Sequence, residues 1–250
     1  MSSKKEKFAR FGMLTKGIVY SLIGVLTALA AFGMGGEKAG AEGALDYLAK
    51  QSFGQVILIL MALGLLGYVF WRFYQAFANP QNLDNDLKGY VKRFAYVISA
   101  FIYGGFAYYA FKLAMGNSSS SSNMSSTNNT IIIAIGIGML VKAIYDIYRA
   151  YSEKFREGIE ESKLSSKEQK VLLNAGKFGH TARGLVIGLM AYLTLSSGLS
   201  SSNSISTQTD AFSYIQNEYG SFVLAIFAIG LLGYGIYMFI KAKYPSLMIK

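Results

Sequence analysis

Six stretches of this chain, at about 14–34, 55–77, 94–115, 130–148, 182–199 and 221–241, are apolar runs of membrane-crossing length. A bilayer core asks for roughly 20 predominantly apolar residues per helix. Because lipid offers no water to the backbone, each run must satisfy its own N–H and C=O groups, and a helix does so. The composition agrees: 52% of the 250 residues are hydrophobic and 15% are charged, against about a quarter charged in a typical soluble domain. An ordinary soluble globule is thereby excluded. The expected fold class is an all-α membrane protein with six transmembrane helices.

Charge separates the two ends of these helices. The formal net charge is +10, and the basic residues sit between apolar runs, where they set orientation, rather than on a soluble face that would bind nucleic acid. Of the 24 Lys and Arg, 21 fall in four segments: up to Lys16, 72–93, 142–183 and from Lys241 on. The other 3, Lys38, Lys50 and Lys112, lie towards the opposite ends of the runs. Both termini and the two basic loops are therefore expected in the cytoplasm. The basic start Met1–Lys7 precedes an apolar run that ends at Gly33, Met34 and Gly35 without a clear cleavage site, so that run is read as a retained first span. The chain has no cysteine, which excludes disulfides, thiolate nucleophiles and Cys-based metal sites.

Gly64-Leu65-Leu66-Gly67-Tyr68 returns as Gly230-Leu231-Leu232-Gly233-Tyr234. A matching helix opening accompanies it: Arg10-Phe11-Gly12 corresponds to Lys177-Phe178-Gly179, and Lys16-Gly17-Ile18-Val19 to Arg183-Gly184-Leu185-Val186. A middle copy places Arg93-Phe94 under Arg10-Phe11, Tyr103 under Tyr20, and Gly138-Met139-Leu140 under Gly64-Leu65-Leu66. This predicts three tandem two-helix hairpins, over 1–80, 81–157 and 158–250, in one orientation and arranged about a pseudo-threefold axis. Gly136 with Gly138, and Gly230 with Gly233, are expected to let helices approach closely.

The connections differ in kind. Stretches 116–130 and 196–210 are polar linkers of low complexity, uncharged but for Asp210 at the end of the second. Ala44-Leu45-Asp46-Tyr47-Leu48 and Asp210-Ala211-Phe212-Ser213-Tyr214 each predict a short helix on the interface. Tyr148, Tyr151, Phe155 and Ile159 recur at helical spacing, so the fourth span is expected to run out as an amphipathic stem. Ser166…Gln169 and Ser3…Glu6 have capping-box spacing before spans five and one.

Ala9-Arg10-Phe11-Gly12…Lys16-Gly17-Ile18-Val19-Tyr20, with Gly64-Leu65-Leu66-Gly67-Tyr68…Trp71-Arg72-Phe73…Ala76, resembles the bacterial three-repeat membrane family catalogued as domain of unknown function 1206. The resemblance covers nearly the whole chain and departs most in the middle unit, where Ser99-Ala100 stands for basic-Gly and Asp146 for Arg72. It implies six helices in a bacterial inner membrane and carries no reaction, cofactor or catalytic residue.

Two sets of residues are candidates for chemistry. Arg10, Arg93 and Lys177 fall near the basic interface, with Lys16 and Arg183 one to two turns deeper. Facing an axis, these five would favour an anion or lipid headgroup; facing outward, they would snorkel as orientation anchors. Lys142 and Asp146, four apart, are expected to pair on one helix face, either as a relay or as a self-neutralised couple. His180, the one histidine, has no metal-ligand or catalytic neighbour in sequence and is read as packing. Tyr20, Tyr68, Tyr103, Tyr108, Tyr109, Tyr192 and Tyr234 lie inside spans, where each phenol needs a partner, whereas Trp71, Tyr74, Tyr145, Tyr148 and Tyr237 suit an aromatic belt.

No phosphate-binding loop, metal set or acid–base dyad is present in the sequence, so no cofactor and no enzymatic activity are expected. The leading expectation is a binding or structural membrane protein engaging anionic lipid, a membrane partner or its own copies, and not nucleic acid. The alternative is a small channel or permease for an ion or anionic solute.

Overall fold

The computed structural model of the chain describes residues 4–34, 38, 40–80, 84–116, 129–200 and 204–246. The described residues form seven α-helices: α1 (Lys4–Ala31), α2 (Ala41–Ala49), α3 (Gly54–Phe77), α4 (Leu87–Ala114), α5 (Asn129–Tyr151), α6 (Ser166–Leu199) and α7 (Gln208–Lys243). Among the described residues there is no β-sheet, only an isolated bridge between Ile159 and Pro245. All but α2 are long and apolar enough to cross a membrane, which gives the six expected spans.

Local chemistry explains where the helices begin. Asp86 caps α4 by accepting from the Gly89 amide at 2.7 Å. Ser165 and Glu168 form a capping box at α6, one residue ahead of the Ser166…Gln169 expected from spacing alone; the Ser3…Glu6 box lies outside the described residues. Thr207 and Asp210 form a second box at α7. The interfacial helix predicted around Asp210 is the first part of α7, which kinks at Gly220 (φ 82°), a conformation natural to glycine. The other predicted interfacial helix is α2. The ends of the two linkers that are described flank α4, α5, α6 and α7; residues 117–128 and 201–203 lie outside the described residues.

The six spans pack in the order α4, α3, α1, α7, α6, α5, each against the next. This order curves, because Lys16 of α1 lies within reach of rings on α3, α4 and α7, while Arg183 of α6 reaches α5, α7 and α1. The result is a horseshoe. Its ends are α4 and α5, which follow each other in the chain yet scarcely touch. The middle of the three units expected from the repeat is thus parted, its two helices standing at opposite ends of the horseshoe. Only 17% of α4's apolar window and 22% of α5's are buried, against 44–50% for the other four spans.

Small residues explain the break. In the first hairpin a Cβ on Gly12 would stand 2.7 Å from the Tyr68 Cα, and in the third a Cβ on Gly179 would stand 2.6 Å from the Tyr234 Cα. The two crossings occupy corresponding sequence positions, and at each the backbones meet where only hydrogen fits. Gly64 against Thr15 and Gly230 against Ala182 repeat the correspondence a turn further in. In the middle unit the matching residues of α4 are Ala95 and Ile98, the latter 45% exposed, and a Cβ on Gly138 of α5 would meet nothing within 4 Å. Of the glycines expected to permit close approach, Gly136 meets Leu195 and Gly230 meets Ala182; Gly138 faces open space.

Both faces of the bundle, at the two ends of the helix axes, are tied. At one, Thr209 and Gln208 accept from the Gly40 and Ala41 amides at 3.2 Å, and Tyr109 donates to Asp46 at 2.9 Å. At the other, basic end, α5 stops at Tyr151, and Glu153 takes a left-handed conformation (φ 55°) that turns the chain back. The amphipathic stem expected through Ile159 is thus a folded strap containing two short 3-10 turns, Lys154–Arg156 and Glu161–Lys163. Of the four spaced residues, Tyr148 and Tyr151 end α5 exposed, whereas Phe155 and Ile159 are buried: Phe155 lies beside Gly176, and Tyr237 donates to the Phe155 carbonyl at 2.8 Å.

Candidate functional site

A charged centre lies inside the horseshoe in the half nearer the strap. Lys16 and Arg183 are 4% and 7% exposed, so neither snorkels to the interface. The Lys16 ammonium sits among four tyrosine rings, 4.6 Å from Tyr103, 5.2 Å from Tyr68, 5.7 Å from Tyr234 and 6.0 Å from Tyr20. Among the described residues no carboxylate stands at ion-pair distance from it. Aromatic faces attract a cation through their quadrupoles, more strongly once water is removed, which explains how a lysine is held at this depth. The in-span tyrosines divide accordingly. Tyr20, Tyr68, Tyr103 and Tyr234 line the centre, whereas Tyr108 and Tyr192 point outward at 69% and 59% exposure.

Arg183 is clamped from two sides. Its Nη1 donates to the Tyr234 hydroxyl at 2.6 Å, and its Nη2 stands 3.4 Å from Asp146 Oδ2. The expected Lys142–Asp146 pair is present at 2.5 Å, but it is not self-contained, because Asp146 serves Arg183 of the neighbouring hairpin as well. Asp146 is the only buried carboxylate among the described residues. His180 packs, as the sequence reading has it, with its ring stacked on Phe155 and edge-on to Tyr234 and Tyr237, and in addition its Nδ1 lies 4.0 Å from Asp146 Oδ1. Tyr237 and Trp71, assigned to an aromatic belt by position, are buried instead, while Tyr145 and Tyr148 are exposed as a belt requires.

Arg72 was legible in the sequence only as part of the Trp71-Arg72-Phe73 motif, yet it belongs to the centre. It donates through Nε to the Tyr68 hydroxyl at 2.8 Å and through Nη2 to the same oxygen, and through Nη1 to Gln75 at 3.1 Å, with its guanidinium over the Tyr96 ring. The signal for it was the spacing Tyr68…Arg72, which puts phenol and guanidinium on one helix face. The remaining candidates stay apart from this group. Arg10 is half-buried, Arg93 is half-buried and donates to Asn85 at 3.2 Å, and Lys177 is exposed. Of the five cations read as lining an axis or as outward anchors, Lys16 and Arg183 converge in the interior and Arg10, Arg93 and Lys177 do not join them.

Charge is unbalanced here: Lys142 and Arg183 share one carboxylate, Asp146, while Lys16 and Arg72 lie against the Tyr68 ring with no carboxylate at ion-pair distance among the described residues. Arg183 Nε and both His180 nitrogens are buried without a hydrogen-bond partner among the described residues. No cluster of three or more His, Cys, Asp or Glu able to hold a metal occurs among the described residues.

Six apolar crossing helices around a polar, net-positive interior define a multi-pass helical membrane protein. The chain belongs to the family described as Domain of Unknown Function (DUF1206), whose profile matches residues 11–79 and 178–245, together more than half of its length. Those stretches hold the first and third hairpins; the strap and the parted helices α4 and α5 fall between them. The chain is also similar to the uncharacterized protein YxxB of Bacillus subtilis (strain 168), 25% identical over 253 aligned residues that cover 97% of this chain and 92% of the relative. No solved structure matches it significantly.

Proposed function

We propose that this protein binds an anionic group at the Lys16–Arg183 centre and has no enzymatic role. One observation carries this reading: two buried cations, Lys16 and Arg183, share the interior with a single buried carboxylate, Asp146, which Lys142 also engages, and at this depth each uncompensated charge is costly. A bound anion would relieve that excess, and the arginine forks suit a phosphate or carboxylate. The protein is further proposed to lie in a bacterial inner membrane with both termini cytoplasmic, as the lopsided Lys and Arg favour. Its helices are proposed to descend from three hairpin units about an axis, the middle one parted.

The test is a thermal-shift comparison of the detergent-solubilised chain with phosphatidylglycerol and with phosphatidylcholine. Stabilisation by the anionic lipid, lost in Lys16→Gln/Arg183→Gln, is expected; equal shifts in wild type and variant would reject the reading. A permease for an anionic solute is the second reading, favoured by the inward convergence of Lys16 and Arg183. It requires anion flux in proteoliposomes that falls in Lys16→Ala/Arg183→Ala.

A further inference from the structure

The cationic centre is enclosed by helices on every side but one. Tyr103 of α4 stands 4.6 Å from the Lys16 ammonium, and Asp146 of α5 reaches Arg183, so the two helices that scarcely touch both face the centre. On α5, Gly138 lies one turn from Lys142 on the face turned away from α6, which Gly136 contacts, and a Cβ added to Gly138 would meet nothing within 4 Å. Lys142, on the same helix as Gly138, keeps 44% of its side chain exposed while bonded to the buried Asp146, and so bridges outside and inside. At the basic end, Phe155 stacks on His180 and covers the centre from that side.

We infer that the gap between α4 and α5 is a lateral portal through which the phosphate of an anionic bilayer lipid reaches Lys16 and Arg183 while its acyl chains stay in the membrane. This deepens the binding reading above and rests on it. Charge complementarity selects the occupant. A neutral acyl chain alone would leave the excess cations uncompensated, and a water-soluble anion would have to cross hydrocarbon to reach an opening that lies between two spanning helices. An amphiphile needs only to slide its headgroup inward by the depth of Lys16, seven residues or about 10 Å below the start of the span at Ala9. Arg183 Nε, buried and without a hydrogen-bond partner among the described residues, is a donor in reserve for the phosphate.

The experiment is native mass spectrometry of the full chain in detergent, titrated separately with phosphatidylglycerol, phosphatidylcholine and inorganic phosphate. The variants are Gly138→Trp, which fills the portal from its α5 side, and Gly138→Leu as a smaller plug should the first variant lose helicity. Expected are one phosphatidylglycerol per chain, bound at least tenfold more tightly than phosphatidylcholine, and a tenfold or greater loss in the plugged chain. Undiminished lipid binding in a folded plugged variant, still abolished by Lys16→Gln/Arg183→Gln, overturns the portal and leaves the anion site standing. Phosphate binding as tight as lipid binding overturns the lipid assignment alone. A dimer whose crosslinks run through Gly138 overturns it too, by making a second copy the occupant. Lipid binding indifferent to Lys16 and Arg183 overturns both readings.

Discussion

Asp146 is the residue on which the interior charge balance turns. It holds Lys142 at 2.5 Å and Arg183 at 3.4 Å while almost fully buried. Neutralising it strands two cations, and breaking a buried pair from one side costs about 3–5 kcal/mol. Asp146→Asn is therefore expected to lower the melting temperature in detergent markedly, and Asp146→Asn/Arg183→Gln to recover part of the loss, a non-additivity read by a double-mutant cycle. Glycines supply a contrasting pair at the same scale. Gly179→Ala would push a methyl to 2.6 Å from the Tyr234 Cα and is expected to destabilise by about 1–3 kcal/mol. Gly104→Ala meets open space and is expected to be neutral, or to stabilise by up to about 1 kcal/mol through helix propensity. Thermal denaturation of the two variants side by side distinguishes them.

The strap at 152–165 is the element whose shape matters most to the centre. Phe155 anchors it, and Arg156 ties it through Glu161 at 2.6 Å and Glu153 at 2.7 Å. The Arg156 hydrogen bonds hold the Glu161 carboxyl below the usual carboxylate range. Its folded value lies under its unfolded one, so the stabilisation is complete above the unfolded value and disappears as pH falls through the folded one. The pair is partly exposed and contributes less than about 1 kcal/mol, so acid is expected to loosen the strap without unfolding the bundle. Trypsin cleavage after Lys154 and Arg156 reports this: Phe155→Ala should be cut several-fold faster than wild type at neutral pH. Equal rates would show that Phe155 does not hold the strap down. The periodicity of Tyr148, Tyr151, Phe155 and Ile159 read as a stem because helical spacing cannot distinguish a continuing helix from a helix end followed by a loop that buries Phe155 and Ile159; the left-handed turn at Glu153 leaves no such signature.

For the whole molecule, the distribution of Lys and Arg gives the sharpest prediction. The absence of native cysteine makes single-cysteine labelling clean. Lys163→Cys, on the strap, is expected to react with an impermeant maleimide only after cells are opened, and Ser200→Cys, at the far end, to react in intact cells. The reverse pattern would invert the proposed orientation. The family profile covers the two hairpins that close and not the one that parts. The horseshoe therefore draws its closed wall from matched sequence and its opening from the stretch between.

Sequence alone determined the six spans, the sidedness of charge and the pairing of Lys142 with Asp146, because each follows from local composition, bilayer thickness or spacing along one helix. The crossing of Gly12 with Tyr68 and of Gly179 with Tyr234 was visible as a repeat, though not as a contact. Only the tertiary structure decided that Lys16 and Arg183 point inward, that Arg72 and His180 join them, that Asp146 is shared between hairpins, and that α4 and α5 stand apart. Those facts depend on which face each helix turns to its neighbours. A helix apolar nearly all round, in a solvent as apolar as itself, carries little pattern along its length to reveal that choice.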